Sequence, residues 1–183
     1  MKIISTSLKD CFIIEPTVFD DSRGFFMEDY HHQRYKKEVG IDDTFVQDNH
    51  SRSSRGVLRG LHFQIKNPQG KLVRVSRGTV LDVAVDLRID SDTFGNSDIF
   101  ELSDSNFRQL WLPPGFAHGF LVLSEIADFQ YKCTDYYDPD DEGSIFWNDP
   151  ELGIKWPDDI EIIISKRDAE AQSFKEYKEN LKI

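Results

Sequence analysis

Short runs of β-branched, aromatic and apolar residues recur along this chain, and Gly, Asp, Asn and Pro separate them at close intervals. Residues 11–14, 24–28, 45–50, 57–64, 71–76, 79–88, 99–102, 109–112, 116–123, 129–134 and 160–165 read as strands. That rhythm leaves little room for helix and predicts an all-β sandwich or barrel. Residues 80–88 alternate: Leu81, Val83, Val85 and Leu87 share one face, Asp82, Ala84, Asp86 and Arg88 the other. Two short helices are expected outside the strands. One runs through 31–39, opened by Asp29 and closed at Gly40. The other follows Ser165, whose spacing to Asp168 matches an N-cap box.

At 183 residues the chain suits a single domain, 1–183, with one sizeable core, and it shows no repeat or linker. A formal charge of −11 excludes a general nucleic-acid binder or an anionic-membrane binder, since both need a basic surface. Arg52, Arg55, Arg59, Lys71, Arg74 and Arg77 nonetheless crowd one stretch free of Asp and Glu, which reads as a basic patch suited to an anionic small molecule. Cys11 and Cys133 are too few for a disulfide framework and read as buried, reduced thiols. No stretch is apolar for long enough to span a membrane, so a soluble, cytoplasmic protein is expected.

The run 57–64 breaks its own hydrophobic rule twice, with Arg59 and His62. A buried imidazole needs a partner and a buried guanidinium an anion, so this strand is a candidate site. Strict alternation puts the two side chains on opposite faces. A bulge at Gly60 would bring them together, and the residues alone leave both arrangements open.

These features sit within longer segments: Arg-Gly-Val-Leu-Arg-Gly-Leu-His-Phe-Gln (55–64), Pro-Gln-Gly-Lys-Leu-Val-Arg-Val (68–75) and Gly-Thr-Val-Leu-Asp-Val-Ala-Val-Asp-Leu-Arg (78–88). Ser-Asp-Thr-Phe-Gly (91–95), Leu-Pro-Pro-Gly-Phe-Ala-His-Gly-Phe (112–120), Tyr-Lys-Cys-Thr-Asp-Tyr-Tyr (131–137) and Trp-Asn-Asp-Pro (147–150) follow in order. Together they resemble the dTDP-4-dehydrorhamnose 3,5-epimerase family over nearly the whole chain. The resemblance implies a double-stranded β-helix, the cupin jelly roll, with short peripheral helices. It also implies a homodimer to which the N-terminal strands of 1–30 contribute, and a place in dTDP-L-rhamnose biosynthesis.

The implied substrate is dTDP-4-dehydro-6-deoxy-D-glucose, whose carbons 3 and 5 flank a ketone. Inversion needs a base, an acid on the other face and an oxyanion partner, with no cofactor and no metal. The resemblance implies that His62 is the base, Asp168 its orienting carboxylate, Tyr131 the acid and Lys71 the oxyanion partner. Read without it, His62 is as readily a satisfied core histidine as a base, Tyr131 a core ring, Asp168 a helix cap and Lys71 a solvated surface lysine. The resemblance further implies substrate contacts from Arg23, Glu28, Gln47, Asp48, Asn49, Arg59, His118, Glu142 and Arg167. Tyr137 is expected to stack on the thymine, with Phe26 covering it from a partner subunit. Otherwise Arg23 and Arg167 are surface charges and Phe26 a core ring.

Three rival readings remain. A metal-dependent cupin shares the likeness at 113–118, but its first motif needs a second histidine where Gln64 stands and a glutamate nearby, and no Glu lies between His50 and Glu101. A non-catalytic nucleotide-sugar binding cupin would not need base, orienter and acid together. An epimerase acting at carbon 3 or carbon 5 alone would share all the catalytic residues.

Overall fold

The computed structural model describes residues 1–181 and forms a jelly-roll sandwich. The first sheet has the order β1 (Lys2–Ser5), β2 (Phe12–Glu15), β10 (Gln109–Leu112), β7 (Lys71–Arg77), β12 (Ile126–Cys133) and β5 (Gln47–Ser54). The second has the order β13 (Glu142–Ser144), β6 (Val57–Gln64), β11 (Phe116–Val122), β8 (Thr79–Asp86) and β9 (Ser97–Ser103), with β14 (Ile163–Ile164) pairing parallel to β6. A separate hairpin joins β3 (Val18–Asp21) to β4 (Gly24–Met27). The Gly78 turn carries the chain from β7 to β8 and so from one sheet to the other.

Alternation along the strands explains which side chains fill the sandwich. Val73, Val75, Val80, Ala84, Phe116, Phe120, Val122 and Phe129 form the core between the sheets. Leu61, Phe63, Val83, Val85 and Leu87 point the other way, into a second core closed by Ile145, Leu152 and Phe174. Phe174 opens α3 (Phe174–Asn180), which Ser173 and Glu176 start with a reciprocal capping box. A third cluster on the outer side of the first sheet packs Ile14, Leu72 and Trp111 under Tyr35 and Ile41. The apolar half of 80–88 therefore lies outside the sandwich under the C-terminal cover. Its polar half faces inward, where Asp82 and Asp86 are fully buried.

Several expectations need correction. The N-terminal helix starts at His31 rather than Asp29: α1 (His32–Arg34) continues as a π-helical turn, Tyr35–Val39, that Gly40 ends at φ +88°. Asp29 instead accepts hydrogen bonds from the Gln109 amide and pairs with Arg74. Residues 51–54, which fall between the expected strands 45–50 and 57–64, continue β5, because β12 offers a paired edge through Ser54. The strand expected at 160–165 shrinks to Ile163–Ile164, and β1, β3 and β13 went unread. The basic stretch is not one patch. Pleating sends Arg52 to Asp128 and Arg74 to Asp29 on the outer face of the first sheet, and only Arg59 and Lys71 are left toward the interior.

Candidate active site

β6 carries a bulge where the alternation was ambiguous. Arg59 pairs with Phe120 of β11 and His62 with His118, so three steps along β6 match two along β11. The extra residue resets the parity, and Arg59 and His62 both face inward while Leu58, Leu61 and Phe63 line the outer side. Only glycine fits the bulge: Gly60 has φ +122°, and a Cβ there would lie 2.6 Å from the Gly119 Cα and 2.7 Å from the His118 carbonyl oxygen.

A cleft of about 340 Å³ opens between the sheets at this level. Gln47, Asn49, Lys71 and Tyr131 line it from the first sheet, His62 and Glu142 from the second, and Tyr137 from the loop after β12. His62 Nε2 lies 2.8 Å from Asp168 Oδ1. Asp168 sits in α2 (Lys166–Ala169), where its backbone N–H donates to the Ser165 side chain. Ser165 is thus the cap and Asp168 serves it only through its backbone N–H, which leaves the carboxylate for His62. Burial alone would push the Asp168 carboxyl up. The His62 hydrogen bond and charge, with the Gly60 and Ser165 contacts, outweigh it and hold the carboxyl below its ordinary range.

A proton on Nε2 donated to Asp168 leaves the lone pair on Nδ1, which lies 3.9 Å from Glu142 Oε1. Glu142 is fixed by Arg167, with a shortest contact of 2.6 Å, and by the Tyr137 hydroxyl at 2.8 Å. Arg167 also reaches within 3.0 Å of His62 Nε2. On the facing wall, burial pushes the Tyr131 phenol up, and the nearby Glu142 carboxylate adds to this, so the hydroxyl keeps its proton. Burial pushes the half-buried Lys71 ammonium down, against the pull of Cys133, Glu142 and Asp82.

The other expected site residues are placed less uniformly. Arg59 faces inward beside this cleft and donates to the Ser53 hydroxyl at 3.1 Å. Asp48 is on the outward face of β5, where Lys132 holds it. His118 lies buried beside His62, with Nε2 on the Asp82 carboxylate and its ring stacked on Phe129. Arg23 and Phe26 are on the exposed β3–β4 hairpin and Glu28 pairs with Arg34; none of the three lines the cleft within one chain. Two polar cleft residues, Gln64 and Gln69, went unread. Gln64 ties the loop after β12 through paired contacts with the Asp138 backbone, and Gln69 donates to the Asp135 carbonyl. Gln64 had entered only as a missing metal ligand. Among the described residues, no group of three His, Cys, Asp or Glu side chains is arranged to hold a metal ion.

The family model for dTDP-4-dehydrorhamnose 3,5-epimerase matches residues 5–176. The chain is 55% identical to the dTDP-4-dehydrorhamnose 3,5-epimerase of Salmonella typhimurium, covering 93% of this chain and 94% of the relative. Its structure superposes with a TM-score of 0.91 on the Legionella pneumophila dTDP-6-deoxy-D-glucose-3,5-epimerase in complex with dTDP-4-keto-L-rhamnose, at 53% identity over 94% of this chain and 92% of that one. It is also similar to ChmJ, a 3'-monoepimerase from Streptomyces bikiniensis in complex with dTDP-quinovose, with a TM-score of 0.90 and 35% identity over 96% of this chain and 89% of that one. A double-stranded β-helix with this cleft, matched over nearly its full length, makes the chain a member of the dTDP-4-dehydrorhamnose 3,5-epimerase family.

Proposed function

We propose that this epimerase inverts carbons 3 and 5 of dTDP-4-dehydro-6-deoxy-D-glucose, giving dTDP-4-dehydro-L-rhamnose for dTDP-L-rhamnose synthesis. The observation that carries this reading is the pairing of His62 with Asp168 on one wall of a cleft whose other wall presents Tyr131 and Lys71. His62 Nδ1 takes the proton alpha to the ketone, and Asp168 stabilises the imidazolium that forms. The Lys71 ammonium stabilises the enolate oxygen. The Tyr131 phenol returns a proton from the opposite wall, which inverts the carbon. The ketone at carbon 4 already acidifies both neighbours, so the route needs neither a redox cofactor nor a metal.

Arg59 and Arg167 supply cationic forks for the diphosphate, with Gln47, Asn49 and Tyr137 toward the nucleotide. A homodimer completes the site in this reading. The β3–β4 hairpin pairs with neither large sheet; Phe25 packs on Phe107 at 4.8 Å between centroids, while Phe19 and Phe26, direct partners across the hairpin, are 62% and 70% exposed. A two-stranded hairpin is marginal in water, and two paired exposed rings on one face favour burial against another chain. Seated on a partner, it would deliver Arg23, Phe26 and Glu28. Cytoplasmic residence fits the two buried free thiols, Cys11 and Cys133. Among the described residues, no helix is long and apolar enough to cross a membrane.

The test is a mass spectrum after incubation with dTDP-4-dehydro-6-deoxy-D-glucose in heavy water, with and without a chelator. Two deuteriums gained regardless of chelator are expected. One deuterium would replace this reading by a single-position epimerase. None, with the nucleotide-sugar still bound, would leave a binding protein and overturn His62 as base.

A further inference from the structure

Gln47, Gln64 and Gln69 line the cleft, and all three direct their amides at one loop. It is the segment 134–141, between the end of β12 and the start of β13. It forms no strand or helix, and Asp135, Asp138, Asp140 and Asp141 crowd it with like charge. Such charges repel, and a backbone without a ladder needs other partners. The two ends find theirs in the turn after β6. Gly70 donates its N–H to the Thr134 hydroxyl at 2.8 Å and accepts the Thr134 N–H at 3.0 Å. The buried Asp141 carboxylate accepts the Lys66 and Asn67 N–H groups, each at 2.9 Å.

Between these ends the glutamines take over. Gln69 donates to the Asp135 carbonyl at 2.8 Å, and Gln47 accepts the Tyr137 N–H at 2.9 Å. Gln64 does both at one residue: Nε2 donates to the Asp138 carbonyl at 3.1 Å, and Oε1 accepts the Asp138 N–H at 2.9 Å. An amide side chain offers donor and acceptor side by side and adds no charge, so it stands in for a strand partner. A carboxylate at the same place would face a carbonyl and add to the repulsion. Gln47 reaches the loop from β5 of the first sheet and Gln64 from β6 of the second, so the loop is tied to both walls. Tyr137 sits at its centre and is half-exposed. Packing therefore does not direct its ring; the backbone and the hydroxyl contact with Glu142 do.

We propose that Gln64, with Gln69, is a positioning residue that holds the Tyr137 loop in the form that receives the nucleobase. The proposal rests on the reading of Tyr137 as the ring that stacks on thymine. Gln64 acts through Tyr137 rather than on the substrate. A loop ordered in advance lowers the cost of binding, so the effect falls on affinity and leaves the proton transfers at His62 unchanged.

The test is Gln64→Met, which keeps the length of the side chain and loses its amide. The Asp138 amide proton, followed by NMR, is expected to exchange at least about tenfold faster than in the wild type. The affinity for dTDP should fall roughly 3- to 10-fold and KM should rise by a similar factor, with kcat unchanged. Inorganic pyrophosphate, which has no base, should bind as it does to the wild type. In a Tyr137→Ala background, Gln64→Met should weaken dTDP binding little further. An unchanged Asp138 exchange rate, an equal loss of pyrophosphate affinity, or a full additional loss in Tyr137→Ala would each overturn the proposal. Wild-type dTDP affinity in Tyr137→Ala would overturn the stacking and the proposal with it. Weakened binding in Tyr137→Ala beside wild-type binding in Gln64→Met would overturn the proposal alone. If Gln64→Met does not fold, Gln69→Met, which loses only the Asp135 contact, decides by the same dTDP and pyrophosphate titrations.

Discussion

His62 and Tyr131 line one cleft from opposite sheets, His62 on β6 of the second and Tyr131 on β12 of the first. A base and an acid on facing walls reach opposite faces of a ring held between them. That is the geometric requirement for inversion, as distinct from exchange with retention.

Removing the proposed base should stop the first step. His62→Ala is expected to lower kcat by roughly 10²–10⁴-fold and to abolish deuterium incorporation, with dTDP binding nearly intact. Mass spectrometry in heavy water and a dTDP titration check both halves. Retained exchange would take the base role from His62.

Removing the proposed acid should act differently. Tyr131→Phe keeps the ring against Phe129, at 6.0 Å between centroids, and loses only the hydroxyl. Exchange is expected to survive at one carbon at least, while completed inversion falls. Proton NMR of the products, read beside the deuterium count, separates the two. Equal loss of both would mean that Tyr131 does not act as a separate acid.

Gly60→Ala tests the bulge. The added methyl meets backbone atoms of Gly119 and His118 at under 3.0 Å and is strained at φ +122° whatever the space. The loss should be about 2–3 kcal/mol or more, read from the urea midpoint. Activity should fall even where the variant folds, because Arg59 and His62 depend on this bulge for their shared face. A neutral substitution would show that the bulge is not what sets the parity.

Asp86 predicts an acid limb of stability. Burial alone would push its carboxyl up. Hydrogen bonds from Arg88, Ser91 and Thr93 outweigh this and bring it from 3.8 down to about 2. A carboxyl lowered on folding stabilises the fold fully above its unfolded value, and that stability is lost as pH falls from about 4 toward 2. Roughly 2 kcal/mol should vanish over that window, and Asp86→Asn should flatten it. Urea unfolding at several acid pH values checks this; an unchanged limb in the variant would reassign it to another carboxylate.

How far the residues alone could be read varies with position. The strands at 71–77, 79–86 and 116–122 were legible because apolar content, alternation and bounding turns agreed. Gln47–Ser54 was not legible at its end. Ser51 to Ser54 have turn-like chemistry, and only the edge of β12 makes them strand. Asp29 looked like a helix start, yet its oxygens are taken by Gln109 and Arg74, which are far away in sequence. The proposed catalytic residues could be named as a set only through the family likeness, and single residues could not. A buried tyrosine, a strand lysine and a capping aspartate are each commonplace.

The order of short strands, the all-β class, the oddity of Arg59 and His62 within one strand and the family likeness are written in the chain itself, because they depend on local periodicity and residue chemistry. Which wall each group occupies was settled only by the tertiary structure. The Gly60 bulge turned Arg59 and His62 to one side, pairing across sheets set Tyr131 and Lys71 opposite them, and chain closure brought Asp168 back over a hundred residues to the imidazole. Such contacts depend on strand register and sheet packing, which no local stretch of sequence encodes.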